Sequence, residues 1–191
     1  MKWMLCLAVI AACKQTPAPA PAAPVDHRGD RIVVLAHHIR QKPTDPVVVE
    51  VRKFHVVRAH FDPAHLEGGT ATIELDLASL HTDSDERDDD LRSPNFLDVG
   101  KFATATIDID HVHARGGNAY TADATVGSHG ITKTFPVEFE VVRTNGRAIT
   151  IKGEHAFSRL DFSIGSDPSH DARQQVAPEL TIQLALTLES T

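Results

Sequence analysis

The fold is decided by the stretch TATIELDLASL (residues 70–80), HTDSDERDDDLRSPNFLDVGKF (81–102) and ATATIDID (103–110). Its first and last parts alternate apolar and polar residues: Ile73 and Leu75 flank Glu74, and a second apolar series runs from Ala103 to Ile109. A side-chain period of two buries one face of a strand and leaves the other in water, which is typical of antiparallel sheets. The middle part is polar and does not alternate, so we predict strand, short helix, strand.

The short helix has signals at both ends. Thr82 or Asp83 is suited to cap its first turn, and Glu86 lies at an offset that a capping box requires. Ser93-Pro94 is expected to end it, because a proline disfavours helical geometry at the residue before it. We interpret the aspartates between residues 83 and 90 as a solvated helix face.

Six further segments alternate in the same way and predict an all-β domain. Together with residues 70–80 and 103–110 they make about eight antiparallel strands. No long amphipathic helix is available to cover an open sheet, so the sheet is expected to fold onto itself as a barrel or a sandwich. The six segments are residues 31–39, 47–57, 119–126, 134–142, 148–157 and 180–188.

The interior of such a barrel has two possible fillings. About eight strands enclose a space that is filled by side chains or that holds one small ligand. Small inward residues such as Ala71, Ala124 and Gly153 favour free space. Phenylalanine and leucine side chains reaching across the barrel would fill it instead, and periodicity alone does not separate the two.

The composition argues against a nucleic-acid partner. The 191-residue chain has a formal net charge of −7 and a pI near 5.9, and it contains eight Phe, one Tyr and one Trp. Nucleic-acid binding requires basic patches or aromatic stacking platforms, and neither fits this composition. Both cysteines, Cys6 and Cys13, precede the strands, so we expect no disulfide and no thiolate site in the folded domain.

The first residues resemble a lipoprotein signal. Lys2 precedes an apolar run from Trp3 to Ala12, which is too short to span a bilayer but fits the hydrophobic part of a signal peptide. The run leads into VIAAC at residues 9–13, which is similar to a bacterial lipobox. Acyl chains on Cys13 would then anchor the protein to a membrane. An ordinary cleaved signal is the alternative.

This signal gives the predicted domain organisation. Residues 1–12 are expected to form a lipoprotein signal peptide, residues 13–29 the lipidated cysteine with a Pro/Ala-rich linker, and residues 30–191 the β-barrel domain. We expect the protein in the bacterial cell envelope, anchored to a membrane and facing the periplasm. Gln15, rather than aspartate, stands in the second position after the cysteine, which favours the outer membrane over the inner one.

Three groups of residues form a longer signature. They are Glu86-Arg87-Asp88 with Leu91-Arg92-Ser93, Phe96-Leu97-Asp98 and Lys101-Phe102; Gly130-Ile131-Thr132-Lys133; and FSRLDFSIG at residues 157–165. These residues resemble the signature of the YceI-like, polyisoprenoid-binding family, over about residues 30–165. The resemblance implies an extended, lipocalin-like antiparallel barrel with a long apolar cavity that holds an isoprenoid chain, such as a quinone tail.

We therefore predict an eight-stranded, lipocalin-like barrel that binds, sequesters or carries a long apolar lipid: a polyisoprenoid, a quinone tail or a fatty acyl chain. No cofactor is expected other than such a bound isoprenoid or quinone. His155, on an inward face, either hydrogen-bonds the head group of a ligand or is a satisfied histidine at the barrel end. The phenylalanines expected to line the cavity are Phe96, Phe102, Phe135, Phe139, Phe157 and Phe162.

The helix residues of the signature are predicted to act structurally. In this hypothesis the helix docks beside the barrel mouth, with Leu91 as its apolar contact. The charges of Arg87, Asp88 and Arg92 would pair with nearby strands.

The twelve histidines raise the question of a metal site. His111 and His113 share a strand face and could hold an ion, but we interpret them as a surface pair and predict no metal site. Ser128 beside His129 does not form a nucleophile elbow, so we predict no catalytic residues and no enzyme activity. The alternatives are an envelope stress-response or interaction protein that uses the barrel as a scaffold, and a metal-dependent enzyme that uses the histidines.

Overall fold

The computed structural model describes residues 27–39, 46–171 and 175–191. The predicted signal peptide, Cys13 and most of the linker lie outside the described residues. The elements are β1 (Arg31–Ala36), β2 (Val47–Val51), β3 (Phe54–Asp62), β4 (His65–Asp76), β5 (Leu80–His81), α1 (Asp85–Arg92), β6 (Thr104–Gly116), β7 (Ala119–Ser128), β8 (Ile131–Asn145), β9 (Ala148–Ser158) and β10 (Glu179–Glu189).

The described strands form one antiparallel sheet of ten strands in the order β3-β4-β6-β7-β8-β9-β10-β1-β2-β5. The sheet curls, and the end of the chain reaches its edge strand β3. There the backbone N–H of Thr191 donates to the carbonyl of Ala59 at 3.0 Å. The hydroxyl of Ser190 donates to the carbonyl of Phe61 at 2.6 Å and accepts from its N–H at 3.1 Å. These bonds fasten the curled sheet at the end opposite to α1.

The antiparallel, mostly-strand fold is confirmed; the described residues form one short helix and ten strands rather than eight. The segment 47–57 divides at Arg52 and Lys53 into β2 and β3, close to the slip in its alternation. Leu80 and His81 form a short strand of their own after a 3₁₀ turn at Leu77–Ser79. Ala103 is exposed and precedes β6, so it is not one of the inward residues.

The helix begins at Asp85, and its cap is Ser84 rather than Thr82 or Asp83. The Ser84 hydroxyl accepts from the backbone N–H of Arg87 at 3.3 Å. Thr82 lies before this cap, where its hydroxyl accepts from the backbone N–H of Ser84 at 3.2 Å and donates to Asp88 at 2.8 Å. Glu86 is the second helical residue, one position too early for a capping box.

The helix ends at Arg92, directly before the Ser93-Pro94 pair that was expected to end it. Within the described ranges, no helix has the length and apolar character that crossing a membrane requires.

The inward faces of the strands form one apolar cluster. Its largest fully buried side chains are Ile32, Ile73, Phe162 and Leu186, each no more than 1% exposed. They come from β1, β4, the 3₁₀ turn at Arg159–Phe162 and β10, so the cluster joins both halves of the curl.

Candidate ligand-binding cavity

The curled sheet encloses a cavity of about 950 Å³. This is near the upper end of the ~300–1,000 Å³ range that is typical of small-molecule sites. Alternating residues of eight strands line it, because each strand turns every second side chain inward. Aliphatic examples are Val34, Val49, Ile73, Ile107, Ile151 and Leu184. Side chains from across the sheet therefore do not fill the interior, and of the two possibilities the structure shows the one with free space.

Aromatic rings line the part of the cavity that is nearest to α1. The Phe162 ring lies 6.1 Å from the ring centres of both Phe135 and Phe157. Phe139, farther along β8, stacks on Tyr120 with ring centres 5.5 Å apart. Together with Phe96, these rings place five of the six predicted phenylalanines at the cavity wall.

Phe102 does not line the cavity. Its ring packs on the ring of His129 with a centre distance of 4.4 Å. It also lies against Gly130, where an added Cβ would come within 3.1 Å of it. The residue therefore braces the turn between β7 and β8 from outside. The signature spacing placed it near the helix but could not show which side of the sheet its ring occupies.

His155 projects from β9 into the cavity wall, where its ring lies 5.2 Å from that of Phe135. Its Nε2 atom is shielded from solvent and has no hydrogen-bond partner among the described residues. The interpretation of His155 as a histidine whose hydrogen bonds are all made is therefore wrong, because Nε2 lacks a partner. Its neighbours are apolar, so the polar atom stands in a carbon-rich surrounding.

The helix α1 lies at one end of the cavity and contributes to its wall. Leu91 lines the cavity and packs against the apolar cluster. Arg92 ties the helix to the preceding chain, donating to the carbonyls of Ala78 at 3.0 Å and Leu80 at 2.6 Å. Arg87 instead pairs with the exposed carboxylate of Asp83. Leu91 and Arg92 therefore fix the helix to the rest of the domain, whereas Arg87 makes its contact at the helix surface.

Asp88 is buried, and this corrects the interpretation of the helix aspartates as one solvated face. It is 3% exposed, whereas Asp83, Asp85, Asp89 and Asp90 are exposed. The difference arises from the direction of its side chain, which turns toward β5 instead of solvent.

The buried carboxylate of Asp88 is held by three donors. One oxygen accepts from the backbone N–H and the hydroxyl of Thr82, and the other lies 2.8 Å from His81 Nδ1. Burial by itself raises the pKa of Asp88, but the hydrogen bonds from Thr82 and His81 outweigh it, and the net pKa lies below the ordinary value of 3.8. The aspartate is therefore charged at neutral pH and pins α1 to β5.

Arg159 is a key residue that the sequence analysis missed. It is fully buried, and its guanidinium donates to the carbonyls of Ala177, Ile164, Ser166 and Val176 at 2.6–3.2 Å. Burial lowers the pKa of the Arg159 guanidinium, while nearby carboxylates act in the opposite direction. The side chain holds together the loop that covers the α1 end of the cavity. The only available signal was its place in the FSRLDFSIG segment.

The two histidines predicted to share a face have different partners. His113 Nδ1 lies 2.7 Å from Glu67, whereas His111 lies 3.0 Å from Asp110 and 3.3 Å from Asp123. The ligand atoms of Asp110, His111 and Asp123 lie within 4.8 Å of one another, on the exposed side of β6 and β7. Sequence spacing missed Asp123 because strand pairing brings it there. The absence of a metal site stays a prediction.

These features define a class: a curled antiparallel sheet with an internal, largely apolar cavity. The chain belongs to the YceI-like family, because the YceI-like domain matches residues 25–188. A UPF0312 protein of Ectopseudomonas mendocina is 26% identical over 134 residues, which cover 68% of this chain and 66% of that protein. UPF0312 proteins of Vibrio cholerae are 29% identical over 82 residues, and this match spans 43% of their length.

Solved structures share the fold at low sequence identity. Burkholderia cenocepacia BcnA superposes with a TM-score of 0.72 at 23% identity, over 83% of this chain and 95% of that one. A polyisoprenoid binding domain from Saccharophagus degradans gives 0.67 at 14% identity, over 87% and 97%. The Campylobacter jejuni YCEI protein gives 0.67 at 16% identity, over 80% and 90%.

Proposed function

We propose that this protein binds a long apolar molecule in its cavity and thereby sequesters or carries it. The observation that carries the proposal is the cavity of about 950 Å³, whose wall consists mainly of aliphatic and phenylalanine side chains. A polyisoprenoid, a quinone tail or a fatty acyl chain fits this wall. The structural similarity to a polyisoprenoid binding domain supports the first of these.

The energetics favour a ligand with a long hydrocarbon part. Removing about fifteen CH₂ groups from water contributes roughly 12 kcal/mol at ~0.8 kcal/mol each. The loss of translational and conformational freedom offsets part of this gain. A polar ligand would lose its hydration against a carbon-rich wall without regaining hydrogen bonds. Burial of this kind supports a binding role rather than catalysis.

Extraction of the purified protein with organic solvent, followed by mass spectrometry, tests the proposal. We expect an isoprenoid, quinone or acyl lipid in near-stoichiometric amount. Ala124→Phe, which adds a ring at the cavity wall, should reduce the lipid content and the binding of an added fluorescent apolar probe. Thr125→Phe adds the same ring on the opposite face of β7 and should leave both unchanged.

Two results would contradict the proposal. An empty extract combined with no binding of any apolar probe would favour the scaffold alternative, in which exposed loops bind a partner. Equal binding by the wild type and Ala124→Phe would place the probe outside the cavity.

We further propose that the protein acts at the bacterial cell envelope, anchored through acyl chains on Cys13. The VIAAC sequence at residues 9–13 and the Pro/Ala-rich segment after it support this location. Labelling with a radioactive fatty acid in cells checks it: the wild type should carry the label in the membrane fraction. Cys13→Ser should lose both the label and the membrane association, and a label retained by this variant would contradict the assignment.

A further inference from the structure

The cavity wall contains one polar atom that its own surroundings do not satisfy. His155 Nε2 has no hydrogen-bond partner among the described residues and no contact with solvent. A buried donor or acceptor without a partner costs free energy, so native proteins rarely retain one. The atom belongs to a side chain that lines the cavity, and a molecule in the cavity is therefore the available source of a partner.

Resting on the proposed function, we propose that the ligand is an apolar chain with a neutral oxygen, such as a hydroxyl or carbonyl group, which hydrogen-bonds the His155 imidazole. His155 would then determine specificity, selecting an oxygen-bearing chain over a pure hydrocarbon.

The position of His155 along β9 places this oxygen inside the cavity rather than at its rim. The rim near α1 carries charged side chains, including Glu86, Arg87 and Asp90. His155 lies deeper, beside Phe135 and between the wall residues Gly153 and Phe157 on its own strand. A ligand that reaches it must therefore carry its oxygen into the apolar part of the site.

The chemistry of the site favours a neutral group over a carboxylate. The immediate ring neighbour of His155 is Phe135, and Ile182 is its cross-strand partner on β10. An ionised group in such surroundings loses its hydration for a single hydrogen bond, whereas a neutral oxygen loses much less. A hydroxyl both donates and accepts, so it can partner either neutral tautomer of the imidazole.

Ligand binding requires a small adjustment of the ring. Nε2 is covered in the structure, so the imidazole must turn about χ2 or the Phe135 ring must shift before an oxygen reaches it. The two rings are tilted by 52° and are not stacked flat on each other. The hydrogen bond would therefore form as the chain enters.

A matched pair of probes tests the inference. The first probe is geranylgeraniol, and the second is the hydrocarbon with the same skeleton and a hydrogen in place of the hydroxyl group. Displacement of a fluorescent apolar dye from the full-length protein gives both affinities. We expect the wild type to prefer the alcohol by about tenfold, the range of one buried hydrogen bond. The corresponding carboxylic acid should bind less tightly than the alcohol at neutral pH.

Two variants assign the preference to the histidine. His155→Leu should bind the hydrocarbon as well as the wild type does, or better, and should lose the preference for the alcohol. His155→Gln carries an amide nitrogen near the position of Nε2 and should restore the preference in part. His65→Leu is the matched control, because His65 lies at the exposed start of β4, and it should bind both probes as the wild type does.

Imidazole ¹⁵N NMR provides a second measurement that does not depend on the folding of a variant. The nitrogen resonances of His155 should shift when the alcohol is added and remain nearly unchanged with the hydrocarbon. Equal affinities of the wild type for both probes, or a preference that survives in His155→Leu, would overturn the inference while leaving the proposed function intact. Binding of neither probe would instead contradict the proposed function.

Discussion

Thr82 donates both its backbone N–H and its hydroxyl to one oxygen of Asp88, at 2.7 and 2.8 Å. This double contact joins the end of β5 to the first turns of α1, and His81 supplies a third donor to the other oxygen. Asp88, the last residue of the Glu86-Arg87-Asp88 group, is therefore a buried anchor of the helix. The carboxylate also lies in the helix's first turn, where the macrodipole favours negative charge.

Asp88 should make part of the protein's stability dependent on acid pH. Its pKa in the folded protein is lowered, so its contribution is complete above the ordinary value of 3.8 and is lost as the pH falls through the lower folded-state pKa. We expect Asp88→Ala to lower the free energy of unfolding at pH 7 by about 3 kcal/mol, because buried donors lose a charged acceptor. Urea unfolding at pH 7 and at pH 3 measures both effects.

The matched variants for this prediction are Asp88→Asn and Asp89→Asn. Asp88→Asn keeps an acceptor for Thr82 but cannot titrate, so its stability should fall less than that of the wild type between pH 7 and pH 3. Asp89 is 84% exposed, and its variant should follow the wild-type pH profile. An Asp88→Asn profile that superimposes on the wild type would show that the acid sensitivity arises elsewhere.

The two arginines of α1 should differ in their effects. Arg92→Ala removes donors from the carbonyls of Ala78 and Leu80, and we expect a loss of about 1–2 kcal/mol in the free energy of unfolding. The helix should also hold the cavity end less firmly, so a bound lipid should exchange faster. Arg87→Ala is the matched control: it breaks a pair with exposed Asp83 and should change stability little. Equal melting temperatures for the two variants would contradict this division.

Gly153 shows why sequence reasoning could not predict the shape of the cavity. In sequence it looked like a small residue that leaves space for a ligand. In the structure an added Cβ would lie 3.0 Å from the carbonyl oxygen of Glu138 and 3.3 Å from Phe139 Cβ. The glycine therefore allows β8 and β9 to approach each other closely. Free space in the cavity depends on the curl of the whole sheet, which no local pattern encodes.

The strands themselves could be predicted because each buries one face. Ile73 and Leu75 of β4, and Ile149 and Ile151 of β9, line the cavity as their alternation indicated. Asp88 and Arg159 could not be predicted in the same way. Asp88 stands in a run of aspartates, and nothing in the sequence separates it from the exposed ones beside it. The acceptors of Arg159 are backbone carbonyls, which every residue has, so the sequence does not reveal them.

Gly153→Ala should destabilise the protein by about 1–3 kcal/mol, because the new methyl group meets backbone and Cβ atoms that cannot move without separating the strands. Gly100→Ala is the control. An added Cβ there has no neighbour within 4 Å, and its φ is not in the left-handed region. This variant should be neutral or slightly stabilising, since alanine reduces the freedom of the unfolded chain. Thermal unfolding of both variants checks the difference, and a neutral Gly153→Ala would mean that β8 and β9 adjust easily.

Arg159 should be among the most sensitive positions of the protein. Arg159→Met keeps much of the apolar stem but leaves four carbonyls, those of Ile164, Ser166, Val176 and Ala177, without their donor. We expect a loss of about 3–5 kcal/mol in the free energy of unfolding, because several buried carbonyls lose their hydrogen bonds to a charged donor. Arg159→Lys should recover only part of this loss, because an ammonium group cannot reproduce the planar fork of donors.

Hydrogen exchange in the loop that covers the α1 end of the cavity, residues 159–171, is a second measurement of the role of Arg159. Gly165 has φ +67°, and an added Cβ would come within 3.0 Å of the Arg159 guanidinium and of the Phe96 ring. Gly165→Ala should therefore disturb the same contacts and produce a similar increase in amide hydrogen exchange across residues 159–171. Arg58→Met, at a residue whose side chain is 72% exposed, controls for the loss of an arginine. Unchanged exchange in Arg159→Met would show that the loop is held by its own turns rather than by the guanidinium.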